Sequence, residues 1–172
     1  VLDRVRDRVV VRDRGGSLAA GPGRSGNPGV DPIAPGRTPT AGPIVLGGDT
    51  VVFHRGEYLN KPRDPEDALR ILRRLSGTTH EVFSGIALCH LGRDAWRTGW
   101  ERSLVTMKRL SAPEIEQYIA SGECFDKAGA YAIQERGDRF VEKIEGSYTN
   151  VVGLPMELFW RLWQELQGGE PR

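Results

Sequence analysis

Residues 44–53 read Ile-Val-Leu-Gly-Gly-Asp-Thr-Val-Val-Phe, and this stretch decides the fold. Its apolar start is typical of a buried strand, and its apolar end continues the extended pattern. Small residues in the middle let a ligand come close to the backbone beside Asp49 and Thr50. A carboxylate at a strand end can bind a metal or activate water. It can also cap the local backbone in a turn, and spacing alone favours that simpler interpretation.

The sequence that follows predicts a helix and then a long hairpin. Asp64-Pro65 followed by two acidic residues is typical of a helix start, and Ser76-Gly77 is typical of a helix end. Residues 80–91 and 95–108 are both β-prone, and a Gly-Arg-Asp turn separates them. We therefore expect two adjacent strands after the first helix.

The remaining elements define the fold class. Ser111 and Glu114 form the sequence signature of a capping box, which opens a second helix. A strand is predicted over 140–144, and a last helix is predicted to begin at Pro155. Strands and helices in this order favour an α/β or α+β fold with a mixed sheet.

Composition excludes several classes of protein. The 172 residues are 38% hydrophobic and 27% charged, which fits one domain with a real core and no membrane helix. A net charge of +1 argues against a specific nucleic-acid binder. Two scattered cysteines are too few for a disulfide framework or a zinc site. The charged first residues lack the apolar region of a signal peptide, so we expect a cytoplasmic protein.

Residues 1–43 differ from the rest of the chain. They contain seven Arg, four Asp, eight Gly and six Pro, but no aromatic residue. Such a segment cannot bury enough apolar surface to offset its chain entropy, so we expect it to be disordered. The same restricted alphabet is also expected of GC-rich DNA read in a wrong frame or upstream of the true start. The folded domain is expected over 44–168, with a short tail at 169–172.

Two loops carry residues suited to a nucleotide. Lys61 directly precedes a helix start, where an ammonium and the helix dipole both favour an anion. Lys127 offers a second phosphate partner, and the amide of Gln134 can read the edge of a base. The alternative for Lys61 is an exposed lysine in a loop. The alternative for the second segment is a loop in which the side chain of Gln134 is solvated.

Other polar features are less specific. Residues 146–155 form a polar loop before a helix, which fits an anion site or ordinary capping. His54, His80 and His90 show no metal-ligand spacing, so we expect surface or strand positions. Trp160 and Trp163 are predicted to lie in the core or in a homodimer contact.

Five motifs together resemble a known family, in its order and with its spacing. They are Gly48-Asp49-Thr50-Val51-Val52, Lys61-Pro62-Arg63-Asp64, Leu75-Ser76-Gly77 with His80, Asp126-Lys127-Ala128-Gly129-Ala130-Tyr131 with Ile133-Gln134, and Gly146-Ser147-Tyr148 with Asn150-Val151-Val152-Gly153-Leu154-Pro155. The resemblance is to the Maf family of nucleoside triphosphate pyrophosphatases and covers roughly residues 44–167.

The resemblance implies a fold and a reaction. The fold is α/β, with an elongated mixed β-sheet flanked by helices, as in Maf and inosine triphosphate pyrophosphatase-like proteins. The reaction is hydrolysis between the α- and β-phosphates of a nucleoside triphosphate, with a divalent cation, Mg²⁺ or Mn²⁺. The matching aspartate, Asp49, takes the role of catalytic base and metal ligand.

The resemblance also implies how the substrate is held. Lys61 and Lys127 match the lysines that contact the phosphates, and Thr50 and Gln134 match residues that set base specificity. The Asp-Lys-Ala-Gly-Ala-Tyr form resembles the branch acting on dTTP and UTP rather than on 7-methyl-GTP. A glycine usually follows the family's glutamine, whereas in this chain Glu135 follows it.

One family motif has no counterpart. The family opens with a strand and Ser-x-Ser-Pro-Arg-Arg, whose hydroxyls and arginines hold the triphosphate, and residues 1–43 contain no Ser-Pro-Arg-Arg. Lysines do not replace bidentate arginine contacts, so we expect this chain to be weakly active or inactive. The first hypothesis is an enzyme that hydrolyses nucleoside triphosphates. The second is a catalytically impaired relative that binds the nucleotide. An RNA-binding module is the third.

Overall fold

The computed structural model describes residues 42–93, 95–134 and 136–168. The expectations for residues 1–43 and for the tail at 169–172 lie outside the described residues, apart from positions 42 and 43. Glu135 also lies outside them. The domain expected over 44–168 is described almost completely.

The described chain forms five strands and four α-helices. In order they are β1 (Ile44–His54), β2 (Glu57–Leu59), α1 (Pro65–Leu75), β3 (Thr79–His90), β4 (Ala95–Met107), α2 (Ala112–Ser121), β5 (Val141–Glu145), α3 (Tyr148–Val152) and α4 (Met156–Leu166). Two 3-10 turns, Ala128–Ala130 and Arg136–Phe140, lie between α2 and β5. The predicted helices and strands are present, and the sheet with its accompanying helices confirms the α/β class.

The five strands form one sheet in the order β2-β1-β3-β4-β5. Every pairing among them is antiparallel, which corrects the mixed sheet that the sequence predicts. The connection that contains α1 joins β2 to β3, and these two strands lie on opposite sides of β1. They run in the same direction but do not pair, because β1 separates them.

Strand register brings polar residues of different strands together. β1 pairs with β3 so that Asp49 is opposite Gly85 and Thr50 is opposite Ser84. β3 and β4 form the long hairpin that the sequence predicts, paired from Thr79 with Thr106 to its tip. Because cross-strand partners point to the same face, Thr50 and Ser84 share one face of the sheet.

The capping residues start the helices where the sequence predicts. The Asp64 carboxylate accepts a hydrogen bond of 2.8 Å from the backbone N–H of Asp67, which caps α1. The backbone N–H of Ser111 donates to the Glu114 carboxylate at 2.8 Å before α2. Each cap satisfies a donor that would otherwise lack a partner at a helix start.

The core of the described residues consists of two apolar clusters. The larger one packs α1 and α2 on one half of the sheet, with Leu72, Tyr118 and Phe140 fully buried. The smaller one packs the apolar face of α4, including Leu158, against the other half of β3, including Ile86. The two clusters together hold α1, α2 and α4 against the sheet.

The three histidines all lie on strands. His54 is on β1, and His80 and His90 are on β3. Each is buried, so the strand alternative is confirmed and the surface alternative is wrong. Within the described ranges, none of the helices has the length and apolar content needed to cross a membrane.

Candidate active site

A cavity of about 420 Å³ opens beside the middle of β1. It lies between β1, the loop at 126–134 and the end of α3. All five residues proposed from the sequence line it: Asp49, Thr50, Lys61, Lys127 and Gln134. Three separate chain segments thus bring a carboxylate, a hydroxyl, two ammonium groups and an amide to one space.

The cavity continues towards β2. A neighbouring hollow of about 330 Å³ is also lined by Asp49, Thr50 and Lys61, and by Leu59 and Asn60. Asp49, Thr50 and Lys61 therefore line both spaces. An elongated ligand could occupy both spaces and pass this carboxylate.

The loop at 126–134 is held against β1 by a close backbone approach. Gly129 has a φ of 75°, and a side-chain carbon at that position would lie 3.0 Å from Val52 Cγ2. Its backbone N–H donates to the carbonyl of Asn60 at 3.4 Å. Only glycine fits this contact without strain. The contact fixes the loop that carries Lys127 and Gln134 relative to Asp49.

Asp126 and Lys127 form an ion pair at the cavity wall. Lys127 Nζ lies 2.8 Å from both carboxylate oxygens of Asp126. The hydrogen bond from Lys127 lowers the pKa of Asp126, and the positive charge of Lys61 contributes in the same direction. The cavity wall therefore combines two ammonium groups and a carboxylate that stays ionised at neutral pH.

The segment around α3 is fixed to the sheet by a buried amide. Asn150 Nδ2 donates to the carbonyl of Val82 at 3.0 Å and to Ser103 Oγ at 2.9 Å. Its Oδ1 accepts from the backbone N–H of Ser84 at 3.1 Å. We call these contacts the Asn150 network. It holds Val151, Val152 and Gly153, which line the cavity.

Thr50 lies between the cavity and this network. Its Oγ1 is 2.8 Å from Ser84 Oγ and 3.4 Å from the carbonyl oxygen of Gly153. Ser84 is fully buried, whereas Thr50 lines both spaces. The Thr50 hydroxyl is therefore both a cavity-facing group and the end of a buried hydrogen-bond chain.

A buried tyrosine of the cavity, Tyr131, is paired with His80 of β3. Tyr131 lines the cavity, and its hydroxyl oxygen is 2.8 Å from His80 Nε2. Burial, with a smaller contribution from the charge of His54, lowers the pKa of His80 from 6.5 to about 4. Burial raises the pKa of Tyr131. Both side chains are therefore neutral at physiological pH.

Several lining or supporting residues have no role that the sequence alone predicts. Asp126 and Tyr131 belong to the motif that contains Lys127, and Asn150 belongs to the last motif. Ser84 belongs to none of the five motifs. Its signal in the sequence is a polar residue at an inward position of β3, between the apolar residues Val82 and Ile86.

The chain matches the family model described as Maf-like protein over residues 30–166. The chain belongs to the Maf-like protein family. It is 51% identical over 113 residues to a protein of Dictyoglomus turgidum named dTTP/UTP pyrophosphatase, covering 66% of this chain and 58% of that protein. It is 49% identical over 131 residues to the protein of the same name from Salinibacter ruber, covering 76% of this chain and 63% of the relative.

Membership of the Maf-like family confirms the resemblance that the five motifs indicate. The chain spans about three fifths of the length of these two relatives. The match includes each chain segment that lines the cavity, since these segments all lie within residues 30–166.

Proposed function

We propose that this chain is a nucleoside triphosphate pyrophosphatase, a hydrolase of phosphorus-containing anhydrides, that acts on dTTP and UTP. The observation that carries the proposal is one cavity lined at once by Asp49, Lys61, Lys127 and Gln134. The names of the two relatives, dTTP/UTP pyrophosphatase, support the same substrates. A cavity of about 420 Å³ is within the usual range for small-molecule sites.

The two lysines are suited to the phosphates. Lys61 reaches the cavity from the loop after β2, and Lys127 reaches it from the loop after α2. The ion pair with Asp126 holds the Lys127 ammonium at the cavity wall before a ligand binds. Positioned cations stabilise the charge that builds up on the leaving pyrophosphate, so both lysines would contribute to the rate.

Asp49 is suited to the attacking water. Asp49 lines both spaces of the cavity. In the proposed reaction, water attacks the α-phosphorus in line with the leaving pyrophosphate, and Asp49 orients that water and accepts its proton. The bond between the α-phosphorus and the bridging oxygen breaks, which leaves a nucleoside monophosphate and pyrophosphate.

The carboxylates of the cavity fit a divalent cation that binds together with the substrate. Asp49 and Asp126 both line the cavity, while the described part of the chain contains no group of three or more metal-ligating side chains. Mg²⁺ typically takes one or two protein carboxylates and completes its shell with phosphates and water. We propose that Asp49 would hold Mg²⁺ or Mn²⁺. When bound, the ion would neutralise charge on the phosphate oxygens.

Gln134 and Thr50 are suited to the base. The Gln134 amide offers two donors and an acceptor, and Thr50 adds a hydroxyl in the same cavity. A buried amide left without a partner costs about 1–3 kcal/mol, which is enough to discriminate between bases. We propose that these two residues select uracil and thymine.

A second candidate function is nucleotide binding without hydrolysis. It is favoured by the missing Ser-Pro-Arg-Arg in residues 1–43, because these arginines would contact the triphosphate. Under this alternative, UTP raises the melting temperature of the protein but no pyrophosphate is released. The two functions share the same cavity and differ only in the chemical step.

The decisive experiment measures pyrophosphate release from dTTP and UTP with Mn²⁺. Asp49→Asn keeps the size of the side chain but removes the base, and we expect it to lower turnover by at least about a hundredfold. Asp138→Asn is the matched control, since Asp138 is exposed in a 3-10 turn and does not line the cavity. Equal turnover of the two variants would contradict the proposal.

We further propose a cytoplasmic location and free nucleotides rather than nucleic acid as ligands. The net charge of +1 supports the second point. We also propose a homodimer with Trp160, which is 54% exposed on α4, at its interface. Sedimentation of the native chain and of Trp160→Ser tests the assembly, since the variant is expected to be the smaller species.

A further inference from the structure

The buried hydroxyl of Ser84 has a defined hydrogen-bond direction. Ser84 Oγ lies 2.9 Å from the carbonyl oxygen of Asn150, and a carbonyl oxygen can only accept. The single hydroxyl proton of Ser84 is therefore used in this contact. Ser84 Oγ can then only accept from its other close neighbour, Thr50 Oγ1, at 2.8 Å.

This direction also fixes the proton of Thr50. The alternative acceptor for that proton is the carbonyl of Gly153, but its distance of 3.4 Å is much longer than the 2.8 Å to Ser84. Shorter hydrogen bonds in this range are stronger, so the Thr50 proton points to Ser84. The lone pairs of Thr50 Oγ1 are left to face the cavity.

We infer that Ser84 is a positioning residue that makes Thr50 an obligate hydrogen-bond acceptor towards the base. The inference rests on the proposed function and deepens it, since it concerns which base the cavity accepts. Uracil and thymine present an imide N3–H donor between two carbonyl groups. Cytosine presents an unprotonated N3, which would face the lone pairs of Thr50.

Gln134 cannot make this distinction alone. Its amide can rotate by half a turn and exchange its donor and acceptor positions, so it can pair with the edge of uracil or of cytosine. A Thr50 hydroxyl whose proton always points to Ser84 removes that ambiguity, because it can only accept from the base. Ser84 is fully buried and never touches the ligand, so its effect on base choice passes through Thr50.

The neighbouring glycine keeps this acceptor accessible. A side-chain carbon at Gly153 would lie 3.4 Å from Thr50 Oγ1. With glycine, the hydroxyl oxygen faces the cavity without an intervening side chain. The wall at 151–153 is in turn fixed by the Asn150 network. The main-chain carbonyl of Asn150 also sets the direction of the hydrogen bond that Ser84 Oγ donates.

The test compares dissociation constants for UTP and CTP, measured by calorimetry with α,β-imido analogues of both nucleotides and Mg²⁺. Ser84→Ala frees the Thr50 proton to donate to N3 of cytosine. We therefore expect the preference for UTP over CTP to fall at least fivefold, mainly through tighter binding of CTP. Thr50→Val, which lacks the hydroxyl, is expected to reduce the same preference.

Ser103→Ala is the matched control. Ser103 is equally buried and accepts from the same amide of Asn150, but the hydroxyl chain to Thr50 does not include it. A purely structural role of Ser84 would change the binding of both nucleotides equally, as Ser103→Ala is expected to do. An unchanged UTP preference in Ser84→Ala would overturn the inference while leaving the proposed function intact. Failure of the native chain to bind either nucleotide would overturn both.

Discussion

His80 Nε2 lies 2.8 Å from the hydroxyl oxygen of Tyr131, and Tyr131 lines the cavity. His80 Nδ1 is also buried and has no hydrogen-bond partner among the described residues. Protonation of His80 would therefore place a charge and an unpaired donor in the core. The neutral state of His80 is therefore coupled to the stability of the fold.

The first prediction is a loss of stability at acidic pH. Burial lowers the pKa of His80 from 6.5 to about 4, so between these values the unfolded chain binds more protons than the folded chain. The free energy of unfolding then falls as the pH is lowered from 6.5 to 4, by about 3 kcal/mol from this group. Urea denaturation at pH 7 and pH 4.5 measures the difference. In His80→Leu the difference is expected to shrink, and an unchanged difference would contradict the assignment.

The second prediction concerns the Asn150 network. Asn150→Ala leaves the carbonyl of Val82, the hydroxyl of Ser103 and the N–H of Ser84 without this partner. Each buried polar group left unpaired costs about 1–3 kcal/mol, and Ser103 Oγ still donates to the carbonyl of Ser147, so we expect a loss of at least about 2 kcal/mol in urea denaturation. Asn150→Asp keeps the shape and one acceptor but loses the donors, and should also destabilise the fold. A loss below about 0.5 kcal/mol in Asn150→Ala would refute the role of this network.

The third prediction separates backbone strain from a change in the cavity. Gly153 and Gly122 both have positive φ, 120° and 80°. Alanine at either position is expected to cost about 1 kcal/mol or more of stability. Only Gly153→Ala would also weaken UTP binding, because its added carbon lies beside Thr50, whereas at Gly122 no described atom beyond the adjoining residues lies within 4 Å. Equal UTP affinity in the two variants would argue against a ligand at this wall.

The fourth prediction concerns the turnover rate of the unsubstituted 172-residue chain. Because residues 1–43 contain no Ser-Pro-Arg-Arg, we expect turnover of dTTP and UTP more than about tenfold below that of the Salinibacter ruber relative, or about 1.4 kcal/mol of barrier. Pyrophosphate release under identical conditions compares the two proteins. Turnover within tenfold of the relative would show that other residues replace the arginines.

Local sequence signals predicted the helices and the hairpin because these depend on neighbouring residues. The helix caps at Asp64 and Ser111 lie where the sequence predicts them. The two β-prone runs form β3 and β4, with the predicted turn between them. The direction of strand pairing was harder to predict from the sequence. It depends on β1 lying between β2 and β3, and no short-range pattern encodes that long-range placement.

The candidate site was predictable only in part, because motifs identify some of its residues whereas others depend on long-range contacts. Asp49, Lys61 and Gln134 occur in motifs, and their joint placement on one cavity follows from the fold. Ser84 could not be identified from its neighbours, because its role arises from strand register and from a carbonyl 66 residues away along the chain. The ion pair between Asp126 and Lys127 likewise required side-chain geometry.

The central claim is that this cavity binds a nucleoside triphosphate through its lysines, and the most direct measurement is the affinity for the α,β-imido analogue of UTP with Mg²⁺. Lys127→Ala removes a charged contact worth about 1.5–3 kcal/mol, so we predict at least about tenfold weaker binding than in the native chain. Lys143→Ala removes an exposed lysine that pairs with Glu145 on β5 and is expected to bind normally. Equal affinity in both variants, or no binding by the native chain, would contradict the claim.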